Sequence, residues 1–512
     1  MTEFKYSPLI SVIVPTYNTE IEYLTKMIES VMAQSYENWE LCIADGGSTN
    51  AGEIEKVLRA YAKIKYTMLK KNRGISKNTN AALKLATGEY IALLDHDDEL
   101  SHDALLQVVL NLQEVRYDFI YSDSNMIDAH NTQYSNIFYK PQYSPDIMYS
   151  ANYLTHLSVI RTDLFKQVGN FNRTTDGAQD WDMFLRVCEK TNKILHIPKI
   201  LYHWRMIPTS VTTGPGVKPY AFENQVAVIN RHLKRMSKKG KAEFYDRVNW
   251  RIRIAWDIPR DMFASIIIYN QNEKNTVVLI EQLQVFLAGI RYEIIVVSKN
   301  NFYLLHKDVL FIYKREAKDY SSAYNIGAKA AKGNIYFFID STYQFKNAQY
   351  INDILLWAGQ PEIGAVFPEL LSANDTINSI GLIINENEIY DMYAGKPLEY
   401  YGLMGGSEWK RNFKACREYC FAVKSSLFKE CGGLEESYKE YAIVDFCLYL
   451  YHRLGRNVYI PYVKLWSDHI LPHYESGTDL YQGLIYKYKI FELDPYSNIN
   501  YESKRDMRVL AL

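Results

Sequence analysis

The chain has 512 residues, too many for one ordinary domain at roughly 150 residues each. Apolar residues make up 48% and charged residues 23%, a globular composition with ample material for buried cores. Lys+Arg 58 against Asp+Glu 59 leaves a net charge of -1, so no global field draws nucleic acid.

The longest apolar runs, such as Tyr90–Leu94 and Ser265–Tyr269, fall far short of the roughly 20 residues of a membrane span. The opening MTEFKYSPLI lacks a basic region followed by an apolar core, so no secretory signal is expected. A cytoplasmic location follows as the expectation. Six cysteines (Cys42, Cys188, Cys416, Cys420, Cys431 and Cys447) form no CxxC pair and read as buried free thiols.

Along the chain, strand-length apolar runs alternate with helical periodicities. PLISVIVPTYN opens with a strand, and IEYLTKMIESVMAQ has apolar residues at helical spacing. WELCIADGGS is a second strand ending in a turn. Ile54–Ala62 reads as helix, Ile64–Leu69 as a short strand and Lys77–Ala86 as helix. GEYIALLDHDDEL is a buried strand running into acidic residues. This alternation predicts a mostly parallel sheet with helices on both faces.

The same order returns in the second half. Ser11–Asn18 matches Ser265–Asn272 at an offset of 254, and Glu40–Asp45 matches Glu293–Ser298 at 253. Asn80–Asp95 matches Asn325–Asp340 at 245, and Arg161–Phe171 matches Lys424–Leu434 at 263. Four collinear matches with small drifts indicate a duplication with insertions in loops. The predicted domains are 1–235, a linker over 236–261, and 262–512. Between the two halves, residues 231–261 carry the basic run RHLKRMSKKGK, read first as a solvated helix face, with peripheral contact to anionic lipid as the alternative.

In an open α/β sheet, ligands gather at the carboxyl ends of strands. The first half places a polar feature at each such end: Pro15-Thr16-Tyr17-Asn18, Asp45, Asn72 with Gly74, and Asp95-His96-Asp97-Asp98. Two or three carboxylates converging after one strand suit Mg²⁺ or Mn²⁺, with substrate phosphates completing the shell. Helix capping needs only one of them.

These motifs resemble the family 2 glycosyltransferases of GT-A fold. The resemblance rests on PTYN, Asp45, NRG (Asn72–Gly74), LDHDD, VGNFNRTTDGAQDWDMFLR (Val168–Arg186) and IPKILYHWR (Ile197–Arg205). It is strong over about 8–235, and it implies a fold of two tandem GT-A, Rossmann-like domains. Gln179 stands where the family usually has Glu.

By that resemblance Asp45 accepts the N3–H of uracil or thymine, Pro15 and Tyr17 line the base pocket, and Asn72 lies nearby. Asp95 contacts the ribose and metal. Asp97 and Asp98 hold the metal, with His203 approaching from the other side. Arg205 and Ser210 close on the diphosphate, and Asp180 is the general base. The resemblance thus implies a metal-dependent, inverting transfer from a UDP- or dTDP-sugar to a glycan or lipid-linked glycan acceptor in bacterial surface polysaccharide, glycolipid or glycoprotein synthesis.

The internal alignment sets Asp45 against Ser298, Asp97 and Asp98 against Thr342 and Tyr343, and Asp180 against Ile443. Only Asp340 stands opposite Asp95. The second domain therefore reads as degenerate, kept for assembly, interdomain packing or acceptor binding. Its Tyr-rich end is expected to pack back or to form a homodimer. A bifunctional polymerase and a non-catalytic carbohydrate-binding scaffold are the alternatives. A nucleotidyltransferase would need a Gly-rich phosphate loop with a basic residue after the first strand, and PTYNTEIEYL has none.

Overall fold

The computed structural model describes residues 4–207, 219–287, 289–302, 308–347, 349–469 and 471–500. Internal contacts divide the chain into two units, the first within 4–143 and 151–253 and the second within 144–150 and 254–500.

In the first unit, β1 (Ile10–Thr16) is buried at all seven positions, the unbroken pattern of a central strand covered on both faces. Helix α1 (Ile21–Met32) buries Leu24, Met27, Ile28 and Val31, the single stripe that helical spacing gives. There follow β2 (Trp39–Asp45), α2 (Ala51–Leu58), β3 (Ile64–Met68), α3 (Ile75–Leu83), β4 (Tyr90–Leu93), β5 (Glu99–Leu100), α4 (Ala104–Asn111), β6 (Phe119–Ile127) and β7 (Tyr134–Phe138). The unit continues with β8 (Ser158–Arg161), α5 (Thr162–Val168), α6 (Gln179–Cys188), β9 (Ile194–Arg205) and α7 (Pro219–Arg235).

The sheet order is β3-β2-β1-β4-β8-β6-β9-β5, with β7 on β6. Strand β1 runs parallel to β2 and β4, while β8 is antiparallel to both β4 and β6. The sheet is thus mixed, where the alternation predicts a mostly parallel one. The reason lies in the connection: β8 is reached through an irregular stretch after β7, without the crossover helix that parallel pairing requires. Chain direction on either side of β1 makes its carboxyl end a crevice, the usual ligand position in such sheets.

In sequence between the two sheets, β10 (Gly240–Asp246) and β11 (Arg251–Trp256) form a two-stranded ribbon where a linker is expected. Within the first unit, Trp250 stacks on Phe222 at 4.5 Å. Part of the basic run is absorbed by polar contacts: Arg235 and His232 both bind Glu189, and Arg231 donates to the Thr174 hydroxyl.

The second unit contains β12 (Phe263–Tyr269), α8 (Glu273–Phe286), β13 (Arg291–Ser298), β14 (Val309–Tyr313), α9 (Tyr320–Ala330), β15 (Ile335–Asp340), α10 (Ile351–Ala358), β16 (Val366–Ser372) and β17 (Ile377–Ser379). Next come β18 (Leu382–Ile384), β19 (Ile389–Asp391), β20 (Arg411–Phe413), β21 (Cys420–Lys424), α11 (Ser425–Glu430), α12 (Ala442–Leu454), β22 (Asn457–Ser467) and α13 (Asp479–Tyr488). Its sheet order, β14-β13-β12-β15-β21-β16-β22-β20 with β17 on β16, repeats that of the first unit. One connection differs, because β5 follows β4 directly whereas β20 precedes β21.

The repeat holds residue by residue. Ser11 pairs with Glu40 as Ser265 pairs with Glu293, Ile10 with Tyr90 as Ala264 with Ile335, and Tyr90 with Arg161 as Ile335 with Lys424. Each pair reproduces the sequence offsets. A one-residue slip would turn each strand's core face outward, so shared register is a strong constraint. The Ser11 hydroxyl donates to Glu40 and accepts from the Gly88 N–H, and Ser265 does the same with Glu293 and Gly333.

Segment 144–150 packs into the second unit. There Asp146, fully buried, accepts from Asn412 at 2.7 Å and pairs with Arg456 at 3.2 Å. Helix α13 packs back on the same unit: the buried Tyr481 donates to the carbonyls of Asn385 and Glu388, and Lys487 binds Asp445. All six cysteines are free, with Cys42, Cys416, Cys420 and Cys447 buried.

Candidate active site

The site grows from the carboxyl ends of β1, β2 and β4. Asp45 ends β2 and is fully buried. Its Oδ1 accepts from the backbone N–H and hydroxyl of Ser48 at 3.0 and 2.6 Å, and Oδ2 faces the Tyr66 hydroxyl at 3.4 Å. Burial and the Asp45 charge push that hydroxyl up to about 12. Pro15 lies on β1, and Tyr17 just beyond it is exposed. Asn72 accepts from the Gly74 N–H and from Asn78, whose amide packs against Gly46.

Gly74 is at φ +93°, and a Cβ there would fall 2.2 Å from an Asp176 carboxylate oxygen. Only glycine serves at such a position. The other Asp176 oxygen accepts from the Ser76 hydroxyl at 2.5 Å. Asp176 thereby ties the Asn72–Gly74 loop to the segment leading into α6. It stands within Val168–Arg186, but no residue-type signal marks it out.

The acidic turn after β4 is held from β9. The Tyr202 hydroxyl donates to Asp98 Oδ2 at 2.5 Å and accepts from the Asp95 N–H, and the Arg205 N–H donates to Asp98 Oδ1 at 2.7 Å. Burial, then Asp97 and Asp95, hold the Asp98 carboxyl well above the usual range. Both Asp98 oxygens are thus engaged in positioning the turn. Asp97 is the freer ligand: among the described residues its carboxylate takes no hydrogen bond, and the His96 ring stands 3.8 Å away.

Asp95, Asp180, Pro15, His156, Gln179 and Tyr202 line one recess. Asp180 is the second residue of α6 and accepts the Trp181 N–H at 2.9 Å. Burial raises its pKa despite the Trp181 N–H, so desolvation outweighs the helix-terminal stabilisation that its position predicts. Asp95 rises to about 7 through burial, then through the Asp97 and Asp180 charges.

This donor set fits a hard divalent cation. The carboxylates raise one another, and among the described residues no Lys or Arg side chain binds Asp95 or Asp97. The Arg205 guanidinium goes to the Asp97 backbone carbonyl and to Glu99, not to either of these carboxylates. A cation at Asp95 and Asp97 relieves the repulsion.

Two expectations from sequence are corrected. The His203 backbone pairs with Glu99, but its ring is engaged elsewhere: its Nε2 meets the Ser101 hydroxyl at 3.0 Å and its Nδ1 the Asn125 side-chain Oδ1 at 2.6 Å. Successive strand residues face opposite sides, so with Tyr202 directed at Asp98 its neighbour His203 points away. Arg205 does not reach outward to a diphosphate. Its side chain is buried, donating to the carbonyls of Asp97, Asp128 and Ala129 and to Asn131 and Glu99. It shapes the acidic turn instead. Ser210 lies outside the described residues.

His156 was not anticipated. Its ring stacks on Tyr202 at 4.5 Å, and burial depresses its pKa to about 3, leaving it neutral. One ring nitrogen and carboxylate oxygens of Asp95 and Asp98 lie within 4.8 Å of one another.

At the matching places in the second unit, Ser298 donates to the Asn300 carbonyl, and Thr342 donates twice to Asp340 Oδ1. Tyrosines pack there: Tyr320 and Tyr343 both meet Tyr419, at 5.0 and 5.4 Å. Ile443 is buried in the core.

A GT-A-type sheet with carboxylates at these strand ends is the arrangement of a glycosyltransferase. The model of glycosyl transferase family 2 matches residues 11–168. A colanic acid biosynthesis glycosyl transferase of Escherichia coli K12, named as putative, is 30% identical over 38% of this chain and 74% of its own length. The chain belongs to glycosyl transferase family 2. An uncharacterised protein of Sinorhizobium fredii, y4gI, is 32% identical over 92% of this chain, a span that takes in both units. The O-antigen biosynthesis protein RfbC of Myxococcus xanthus is 27% identical over 84%. The chain spans 53% and 35% of these two relatives' own lengths. Among the described residues no helix is long and apolar enough to cross a membrane.

Proposed function

We propose that the first unit transfers a sugar from a UDP- or dTDP-sugar to a hydroxyl of a glycan or lipid-linked glycan, with inversion at the anomeric carbon. The observation that carries this reading is the meeting of Asp95 and Asp180 in one recess beside Asp97. Asp97 and Asp95 would hold Mg²⁺ or Mn²⁺, with Asp98 behind them. The cation, when bound, stabilises the negative charge of the departing nucleoside diphosphate.

The remaining steps belong to the protein. Asp45 accepts the N3–H of the base with its Oδ2 edge. Asp180 takes the acceptor hydroxyl proton as the oxygen–carbon bond forms and the bond to phosphate breaks on the opposite face. A carboxylate whose pKa is raised is a stronger base than a free one, which suits general base catalysis near neutral pH.

The relatives named for O-antigen and colanic acid synthesis support a role in bacterial surface polysaccharide assembly. The second unit is proposed to be non-catalytic, on the replacement of base-reading, metal and proton-accepting groups by Ser298, Thr342 and Ile443. Peripheral membrane contact would use Lys234, Lys239 and Lys241 of the basic run.

The test is Asp180→Asn. This substitution keeps shape and the Trp181 hydrogen bond but cannot accept a proton. It should retain donor binding and lose at least ~10²-fold in transfer rate. Transfer within a few-fold of wild type would remove Asp180 as the base.

A further inference from the structure

Of the polar side chains in the recess holding Asp95 and Asp180, Thr79, Thr155, Ser158 and Gln179 bond to nearby backbone, and His156 is left without a task in the scheme above. His156 lines it, stacked on Tyr202 at an interplanar angle of 27°. Among the described residues its ring nitrogens take no hydrogen bond. His156 is half-buried and lines the recess, so the hydrogen-bonding capacity its ring leaves unused faces a space that a ligand can enter.

The surrounding structure fixes this side chain. The Lys140 ammonium, itself buried, donates to three carbonyls: Ser122 at 2.5 Å, Thr155, and His156 at 2.7 Å. Thr155 and His156 carry the carbonyls on either side of the His156 Cα, which sits at φ 27°. That region is costly for a side chain bearing Cβ and persists where neighbours over-determine it. Lys140 is anchored in turn, its N–H donating to Asp123, which also binds His196.

We propose that His156 hydrogen-bonds a hydroxyl of the sugar being transferred, and that Lys140 is the positioning residue that presents it. This rests on the transferase reading of the recess. A neutral imidazole offers one donor and one acceptor, the pair that a sugar hydroxyl matches. Ligation of the cation by His156 is the competing role. It is disfavoured because, of the two carboxylates grouped with it, Asp98 already spends both oxygens on Tyr202 and Arg205 and only Asp95 is left.

The test uses the full chain with Mn²⁺ and calorimetric titration of UDP, dTDP, UDP-glucose, UDP-galactose, UDP-N-acetylglucosamine and dTDP-rhamnose. His156→Phe keeps the stack on Tyr202 and removes both nitrogens. The tightest-binding nucleotide sugar should weaken by roughly tenfold, while the matching free nucleotide stays within about twofold. His156→Gln, which retains a donor and an acceptor, should recover part of the loss, and Lys140→Met should repeat the selective loss. Thermal unfolding of each variant checks that it is folded.

Unchanged nucleotide-sugar affinity in folded His156→Phe overturns the inference and leaves the transferase reading standing. Loss of Mn²⁺ affinity without nucleotide assigns His156 to the cation and also overturns it. If the wild-type chain binds no nucleotide sugar, the transferase reading falls and this inference with it.

Discussion

The Asn80 carboxamide and the Phe171 backbone exchange two hydrogen bonds, Nδ2 to the carbonyl at 2.8 Å and the N–H to Oδ1 at 3.0 Å. Asn325 and Leu434 make the same exchange in the second unit, both bonds at 2.8 Å. The exchange clips α3 to the segment that precedes the helix of Asp180 in one unit, and α9 to the segment that precedes the helix of Ile443 in the other. An exchange kept in both units, whatever their sites hold, is a structural one.

Asn80→Ala and Asn325→Ala should therefore each destabilise their own unit by ~1–3 kcal/mol, because two backbone groups lose their partner. Only Asn80→Ala should also lower the transfer rate per folded molecule, since it loosens the approach to Asp180. Urea unfolding beside single-turnover kinetics separates the two effects. Equal kinetic losses in both variants would count against a passive second unit.

Asp97→Ala should abolish cation-dependent nucleotide binding, and EDTA should do the same to the wild-type chain. Tyr202→Phe is the subtler test. It removes the hydroxyl bridging Asp98 and the Asp95 N–H, without touching a ligand atom. Loss of such support behind a metal site costs ~10–100-fold in metal affinity, so the Mn²⁺ titration should shift by that factor. Undiminished binding in EDTA would dispose of the cation altogether.

Protonation gives a third check, with a definite sign. Asp95 is raised to about 7 by burial and by the Asp97 and Asp180 charges. Between the unfolded value near 4 and the folded one, the folded state holds the extra proton, so stability falls as pH rises through that window. The metal-free wild-type chain should lose more stability from pH 5 to pH 7.5 than Asp95→Asn, which lacks the titrating group. Saturating Mn²⁺ should shrink the difference, and Mn²⁺ affinity should fall with acidification as protons compete. Parallel pH–stability curves for the two metal-free proteins would contradict the assignment.

Much of the fold was legible in the sequence because strand and helix periodicities are local. The four internal offsets carried the register of both sheets, and the position of Asp180 at a helix start followed from one turn of pattern. Which face of β9 each residue takes was not legible. The β6–β9 pairing shifts register between Ser122 and Asp123 and again between Asp123 and Ser124; the second shift adds one extra β9 residue, which reverses the facing of the strand residues beyond it. That places Tyr202 at the acidic turn, sends His203 to Ser101 and Asn125, and draws Arg205 inward. His156 was hidden for another reason: it ends an irregular stretch with no period, and only the Lys140 clamp and Tyr202 give it a place.

The integrity of the second unit depends on a segment from the first half of the sequence. Asp146 is fully buried, accepts from Asn412 and pairs with Arg456, and its charge also supports the buried Lys410, which burial depresses to about 7. Removing one member of a buried charge pair costs ~3–5 kcal/mol, because the other is left in a poor environment. Asp146→Ala in the full chain should therefore lower the unfolding transition of the second unit by several degrees in calorimetry, while Mn²⁺-dependent nucleotide binding by the first unit persists. A chain cut to begin at residue 262 lacks Asp146 altogether and should be unstable for the same reason. Asp97→Ala in the full chain is then the cleaner probe of catalysis by the second unit. If a second sugar transfer survives in Asp97→Ala, the second unit is itself a transferase, and the chain is a two-site polymerase.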